Sequence, residues 1–197
     1  MNLSESKTIE NLMRAFAGEC QARTRYEFAA KAAMHEKLPC IAQVFAYTAG
    51  QEYEHAGVFF KLMRSAGMTN VPIGGGYPVD LTTDTLSLLR NAQRNEGEEH
   101  LTVYPEFARI AGEEGFADIE RIFQGIALIE DTHGQRFGLL ADQLEGGMLF
   151  SNGAAATRWI CLNCGNVVEG PSAPGKCPVC AHEQGYYVRQ SFAPYAG

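Results

Sequence analysis

The chain has 197 residues, 46% of them hydrophobic and 20% charged, with a net charge of -7. That length allows one substantial domain plus a small appendage, and the composition excludes wholesale disorder. No apolar run reaches the length of a bilayer span, and an acidic surface repels phosphate backbones, so neither a membrane nor a nucleic acid is an expected partner.

The opening MNLSESKTIE has no apolar signal-peptide core, which makes the cytoplasm the expected compartment. Four amphipathic stretches follow, near 5–35, 38–66, 84–112 and 115–145. Pro39 suits a helix start, whereas Gly67 and the Gly112–Gly115 pair suit stops. Short joints within the first and second pairs predict two antiparallel hairpins. The Gly/Pro-rich segment MTNVPIGGGYPVDLTTD between them suits a long crossover. Its triple glycine, Gly74–Gly76, lacks the strand-to-helix setting of a phosphate loop and reads as connector. Residues 1–145 are thus expected to form a helical bundle, 146–156 a small, flexible linker, and 157–197 a second domain. From Thr157 onward the charge is +1, which leaves -8 on the bundle.

The seam-forming positions of the helices carry polar residues where apolar ones are expected. The fourth seam runs Ile119, Phe123, Ile126, Glu130, His133, Phe137, Leu140, Leu144, and the second Phe45, Thr48, Glu52, His55, Phe59, Leu62. The first reads Ile9, Leu12, Phe16, Glu19, Arg23, Tyr26, Ala30, and the third Leu89, Ala92, Glu96, Glu99, Val103. Burying one uncompensated carboxylate costs several kcal/mol, and five would exceed the roughly 5–15 kcal/mol stability of a domain. The placement therefore requires protonation or cations. At about 1.5 Å of rise per residue, both hairpins bring these groups to comparable depth. One Glu from each of two helices with Glu-x-x-His from each of the others is the di-metal constellation of ferritin-like four-helix bundles. Glu52/His55 and Glu130/His133 supply the pairs, Glu19 and Glu96 the singles, and Glu99 a further carboxylate. Oxygen ligands with two imidazoles suit Fe, Mn or Zn, and the balance of five carboxylates against two ions favours iron. His100 lies about 100° from Glu99 and off the seam, and Pro105 is expected to kink the helix beyond the ligands.

The tail carries Cys161-x-x-Cys164 and Cys177-x-x-Cys180, the spacing of a four-thiolate metal site that zinc or iron could occupy. Trp159, Tyr186 and Tyr187 are the expected miniature core. The remaining Cys20 and Cys40 are expected to be buried thiols acting as small apolar side chains.

With these motifs placed, the chain resembles the rubrerythrins, which join a ferritin-like di-iron bundle to a rubredoxin-like domain. The resemblance rests on A-G-E19-C-Q-A-R, E52-Y-E-H55-A, E96-x-x-E99 followed by Y104-P-E-F-A, E130-x-x-H133 and the two cysteine knuckles. It departs from the family at Asn95 and Gly97, which flank Glu96 where relatives commonly have Gly and Asn. The resemblance implies iron in both sites and reduction of hydrogen peroxide, with electrons arriving through the four-cysteine iron from rubredoxin or an NAD(P)H-dependent reductase. It further implies an exchange of Glu99 for His55 as iron changes oxidation state, Tyr26 and Tyr104 beside the di-iron site, and a homodimer. A ferritin-like ferroxidase that stores iron is the alternative use of the same bundle.

Overall fold

The computed structural model describes residues 2–193. Helix α1 (Lys7–His35) runs back along α2 (Pro39–Ser65), and α3 (Thr85–Glu98), a π-helical turn (Glu99–Val103) and α4 (Tyr104–Glu113) together run back along α5 (Ala117–Glu145). Four helical rods result, in two hairpins joined by the long crossover. Gly67 and Gly115 close their turns with φ of 72° and 87°, a conformation that costs other residues strain. Pro39 occupies the first turn of α2, where its missing N–H is no loss.

The hairpins cap one another. Glu114, in the turn of the second hairpin, accepts the Lys7 and Thr8 backbone N–H groups at 2.9 and 2.8 Å, at the start of α1. Glu36, in the turn of the first hairpin, accepts the Thr85 N–H at 2.8 Å, at the start of α3. Both carboxylates thus meet orphan donors at the positive end of a helix dipole.

Two dry clusters stack along the bundle. One gathers Tyr26, Phe45, Leu89 and Phe137, the other Leu12, Phe59, Tyr104 and Phe123. Along every rod the metal-ligand candidates fall between residues of one cluster and residues of the other. The polar layer is therefore sealed at both ends by aromatic rings.

Two seams differ from expectation. In α1 the buried line is Ala15, Glu19, Ala22, Tyr26, Ala29, Ala33, so Ala15 replaces Phe16, Ala22 replaces Arg23 and Ala29 replaces Ala30. Arg23 instead stacks its guanidinium on Tyr53, 4.7 Å from the ring centre. In the third rod the π turn inserts one residue, so the buried line resumes at Tyr104, Ala108 and Ala111 rather than Val103. Cys40 is buried as expected, but Cys20 is exposed, because one residue past Glu19 lies about 100° off the seam.

Beyond the bundle, β1 (Thr157–Cys161) pairs antiparallel with β2 (Val167–Gly170) on one side and β3 (Tyr187–Arg189) on the other. Trp159 and Tyr187 are buried at the centre of this unit with Cys161, Cys177 and Ala173, and Tyr186 packs against them. The segment expected to be a flexible linker is partly built in. Leu149 is buried in the bundle's core, and Phe150 accepts the Ala173 N–H at 2.9 Å. Gly185 lies so close to the Lys37 carbonyl and Pro39 ring, at the α1–α2 turn, that a Cβ there would collide with both.

Candidate metal centres

Six side chains converge in the polar layer: Glu19 from α1, Glu52 and His55 from α2, Glu96 from α3, Glu130 and His133 from α5. They form two overlapping quartets, Glu19/Glu52/His55/Glu130 and Glu52/Glu96/Glu130/His133, each with ligand atoms within 4.8 Å of one another. Glu52 and Glu130 belong to both, and each turns one oxygen to each imidazole. His55 Nδ1 lies 3.0 Å from Glu52 Oε2 and 3.0 Å from Glu130 Oε1. His133 Nδ1 lies 3.0 Å from Glu52 Oε1 and 2.7 Å from Glu130 Oε2. The two rings stack, 5.7 Å apart and 16° from parallel.

These separations are short, yet none has the alignment of a hydrogen bond. Glu19 Oε2, both oxygens of Glu52 and of Glu130, and the Nδ1 atoms of His55 and His133 are buried without a hydrogen-bond partner. Such groups cost free energy unless something else meets their lone pairs. Lone pairs of two bridging carboxylates, two terminal ones and two imidazoles fit a pair of iron ions.

Burial dominates the titration of this layer. It pushes Glu19 up to about 8 despite the opposing contact with His55, and repulsion from Glu130 and Glu52 adds to the rise. Glu96 is pushed well above the carboxylate range by burial and by Glu52 and Glu130. For Glu52 burial is outweighed by the two imidazoles, and its carboxyl sits below the usual range. His55 and His133 are both raised, because the carboxylates around them overcome the desolvation that opposes their charge.

Glu99 stands outside both quartets, at the start of the π turn. It is nevertheless held well above the carboxylate range by burial and then by Glu19, Glu130 and Glu52. It lines one cavity with Tyr104, whose hydroxyl donates to Glu19, which sets it on the Glu19 side of the layer. Tyr26 donates its hydroxyl to Glu96 Oε1 and Tyr104 donates to Glu19 Oε1, so each terminal carboxylate is fixed by one phenol. His100 faces away and holds the Ala127 carbonyl at 2.7 Å.

The four cysteines also converge, with Sγ atoms within 4.8 Å of one another. Cys161 and Cys180, and Cys164 and Cys177, stand 3.7 Å apart, near the edge of about 3.8 Å expected for a tetrahedron with 2.3 Å metal–sulfur bonds. Every sulfur is approached by backbone N–H groups: Cys161 from Asn163 and Cys164, Cys164 from Asn166, Cys177 from Val179 and Cys180, Cys180 from His182. Donors so placed stabilise thiolates and tune the potential of a bound iron.

Residues 10–141 match the rubrerythrin family model. The chain belongs to the rubrerythrin family. Residues 159–188 separately match the rubredoxin-like domain of rubrerythrin. The chain is 43% identical to a rubrerythrin of Clostridium perfringens over 187 residues, covering 94% of this chain and 95% of that one. It is 39% identical to a rubrerythrin of Nitratidesulfovibrio vulgaris, again over 94% of this chain and 95% of the relative. A mixed-valence nigerythrin structure superposes with a TM-score of 0.62 at 26% identity, covering 96% and 93% of the two chains. A bacterioferritin from Desulfovibrio desulfuricans, 20% identical with a TM-score of 0.65 over 72% and 82% of the chains, shares the bundle fold. The buried Glu/His layer is accordingly the di-iron carboxylate site of a rubrerythrin, and the cysteine cluster its rubredoxin-like iron site. Among the described residues no helix is long and apolar enough to cross a membrane.

Sequence reasoning named the six residues of the layer but gave no role to two neighbours. Arg136 donates to Thr48 Oγ1 at 2.8 Å and Gln51 Oε1 at 3.0 Å, tying α5 to α2 one turn from His133 and Glu52. Asn95 is buried beside Glu96. Its spacing of four residues from Glu99 was a signal that the two share a face.

Proposed function

We propose that the chain is a non-haem di-iron peroxidase that reduces hydrogen peroxide to water, with electrons returned through the four-cysteine iron. The observation that carries this reading is the bridging geometry of Glu52 and Glu130, one oxygen to each imidazole, with the spare carboxyl of Glu99 alongside. Glu19 and His55 would hold one iron, Glu96 and His133 the other, and Glu52 and Glu130 both.

Bound there, two ferrous ions supply the two electrons that cleavage of the O–O bond consumes, while two protons complete two molecules of water. The chain's own groups do the rest. Glu99, whose carboxyl burial and its acidic neighbours hold well above the usual range, could give a proton to a departing oxygen, and its carboxylate would then be available in place of the His55 imidazole. Tyr26 and Tyr104, both raised well above the normal phenol range by burial and nearby carboxylates, stay protonated and hold Glu96 and Glu19 in place. The two aromatic clusters keep bulk water out of the layer. The cysteine site passes electrons one at a time from a rubredoxin or an NAD(P)H-dependent reductase. The working unit is a cytoplasmic homodimer, in which the cysteine-rich domain of one subunit serves the bundle of the other.

Anaerobically reduced protein mixed with hydrogen peroxide should oxidise rapidly at both centres. The reading fails if peroxide leaves the reduced iron unchanged while dioxygen oxidises it quickly, which is the behaviour of a ferroxidase. Glu99→Ala should weaken peroxide turnover and leave the iron–thiolate spectrum intact. Unchanged turnover with the electron donor in excess removes Glu99 from the mechanism.

A further inference from the structure

The crossover loop does more than connect hairpins: it is stitched along α1. Arg14 Nε donates to the Gly74 carbonyl at 3.1 Å, and Tyr77 returns a hydrogen bond from its hydroxyl to the Arg14 carbonyl at 3.1 Å. Gln21 Nε2 donates to the Pro78 carbonyl at 2.6 Å, and Arg25 pairs with Asp80 at 3.6 Å. The Tyr77 ring lies against two glycines, since a Cβ on Gly18 would stand 3.8 Å from it and one on Gly75 3.7 Å. The segment thereby roofs the space between α1 and α3.

Under that roof is a cavity of about 170 Å³, lined by Gly18, Tyr77, Asn95, Glu99 and Tyr104 among others. It has room for several molecules the size of water. Its walls include the free carboxyl of Glu99 and the phenol that holds Glu19. Asn95, only 7% exposed, lines it too, and its amide Nδ2 is buried without a hydrogen-bond partner. A buried, unpartnered amide costs free energy unless a solute meets it, and Asn95 stands one helical turn from Glu99 on the same face.

We propose that this cavity is the entry vestibule of the di-iron site for small hydrogen-bonding solutes, with the Asn95 amide as docking group and the Tyr77 ring as roof. The solute accepts from the Asn95 amide, then passes Glu99 into the Glu19 and His55 half of the layer. The proposal rests on the peroxidase reading only for the identity of that solute, hydrogen peroxide.

The test uses the full, iron-loaded chain and azide as a probe, a small anion whose arrival at oxidised iron changes the absorption spectrum. Asn95→Leu should slow azide binding about tenfold or more, the equivalent of one lost hydrogen bond, with iron content unchanged. Asn95→Ala, which keeps the space and drops the amide, should raise KM for peroxide and leave kcat. Tyr77→Ala should speed azide entry. Azide rates equal to wild type in both Asn95→Leu and Tyr77→Ala, at equal iron content, overturn the proposal. Azide entry that follows both residues in a protein whose reduced iron ignores peroxide supports the vestibule and refutes the peroxidase reading.

Discussion

Loading the bundle with metal should expel protons, and the number can be worked from the site. In the metal-free protein at neutral pH, Glu19 holds a proton because burial raises it, and His55 holds one because the carboxylates around it overcome its desolvation; Glu96 is raised in the same direction as Glu19. Glu19 and His55 make two, and Glu96 and His133, both raised, add to them, so the expected release is about two or more per metal pair. Manganese(II) is the convenient titrant, since hard cations favour carboxylate and imidazole over thiolate. Calorimetric titration in buffers of different ionisation enthalpy gives the proton count as a slope. By linkage, apparent affinity should climb by about two decades or more per pH unit near neutrality. A count of about one or fewer would mean that the carboxylates lie ionised together without cations, and the fit of this layer to metal would collapse.

The sign for stability follows from the same groups. A carboxyl whose folded pKa is raised stabilises the metal-free fold at low pH, so Tm of the stripped protein should fall as pH rises from about 4.5 toward 8, through the value of Glu19. His55 acts in the same sense, its contribution being complete below about 6.5 and lost only as pH rises through its raised folded value.

Three further outcomes are expected. Glu114→Ala and Glu36→Ala should each cost about 1 kcal/mol of stability in denaturant melts by uncapping α1 and α3; the Glu114 carboxyl lies below its usual range through its bonds to Thr8 and Lys7 despite some burial, so its contribution is present above about pH 4.5 and fades as acid protonates it. Gly134→Val should displace Glu96, because even a Cβ at this position stands 3.4 Å from Glu96 Cβ; metal analysis should find bundle iron reduced and the four-cysteine iron retained, and full bundle iron would refute the packing argument. Tyr104→Phe should free Glu19 Oε1 at a stability cost of about 1–3 kcal/mol in the metal-free protein, read as a lower Tm; an unchanged Tm means the phenol does not hold Glu19.

The parts of the site that were legible in the sequence are those set by helical period alone. In α2 and α5 an unbroken period of four and three carried Glu52, His55, Glu130 and His133 to the core. The same rule misjudged α1, because Ala22 and Arg23 are adjacent and either can continue a stripe; only the facing helix decides that the small side chain goes in. It also misjudged the third rod past Glu99. A π turn has no compositional signature, and its extra residue is what brings Tyr104, rather than Val103, to Glu19. The distribution of the loop over α1 was illegible for a different reason: it depends on backbone carbonyls of Gly74 and Pro78, which carry no residue identity.

The crossed caps of Glu36 and Glu114 have a consequence for how the iron and the chain depend on each other. Each hairpin lends its turn to the start of the other's first helix, and neither quartet can be completed by one hairpin, since the first always needs Glu130 and the second always needs Glu52. The metal pair is thus a clasp between two halves that already share two apolar clusters. Emptying it removes one of the ties between the halves, so the redox centre is also a buckle of the fold.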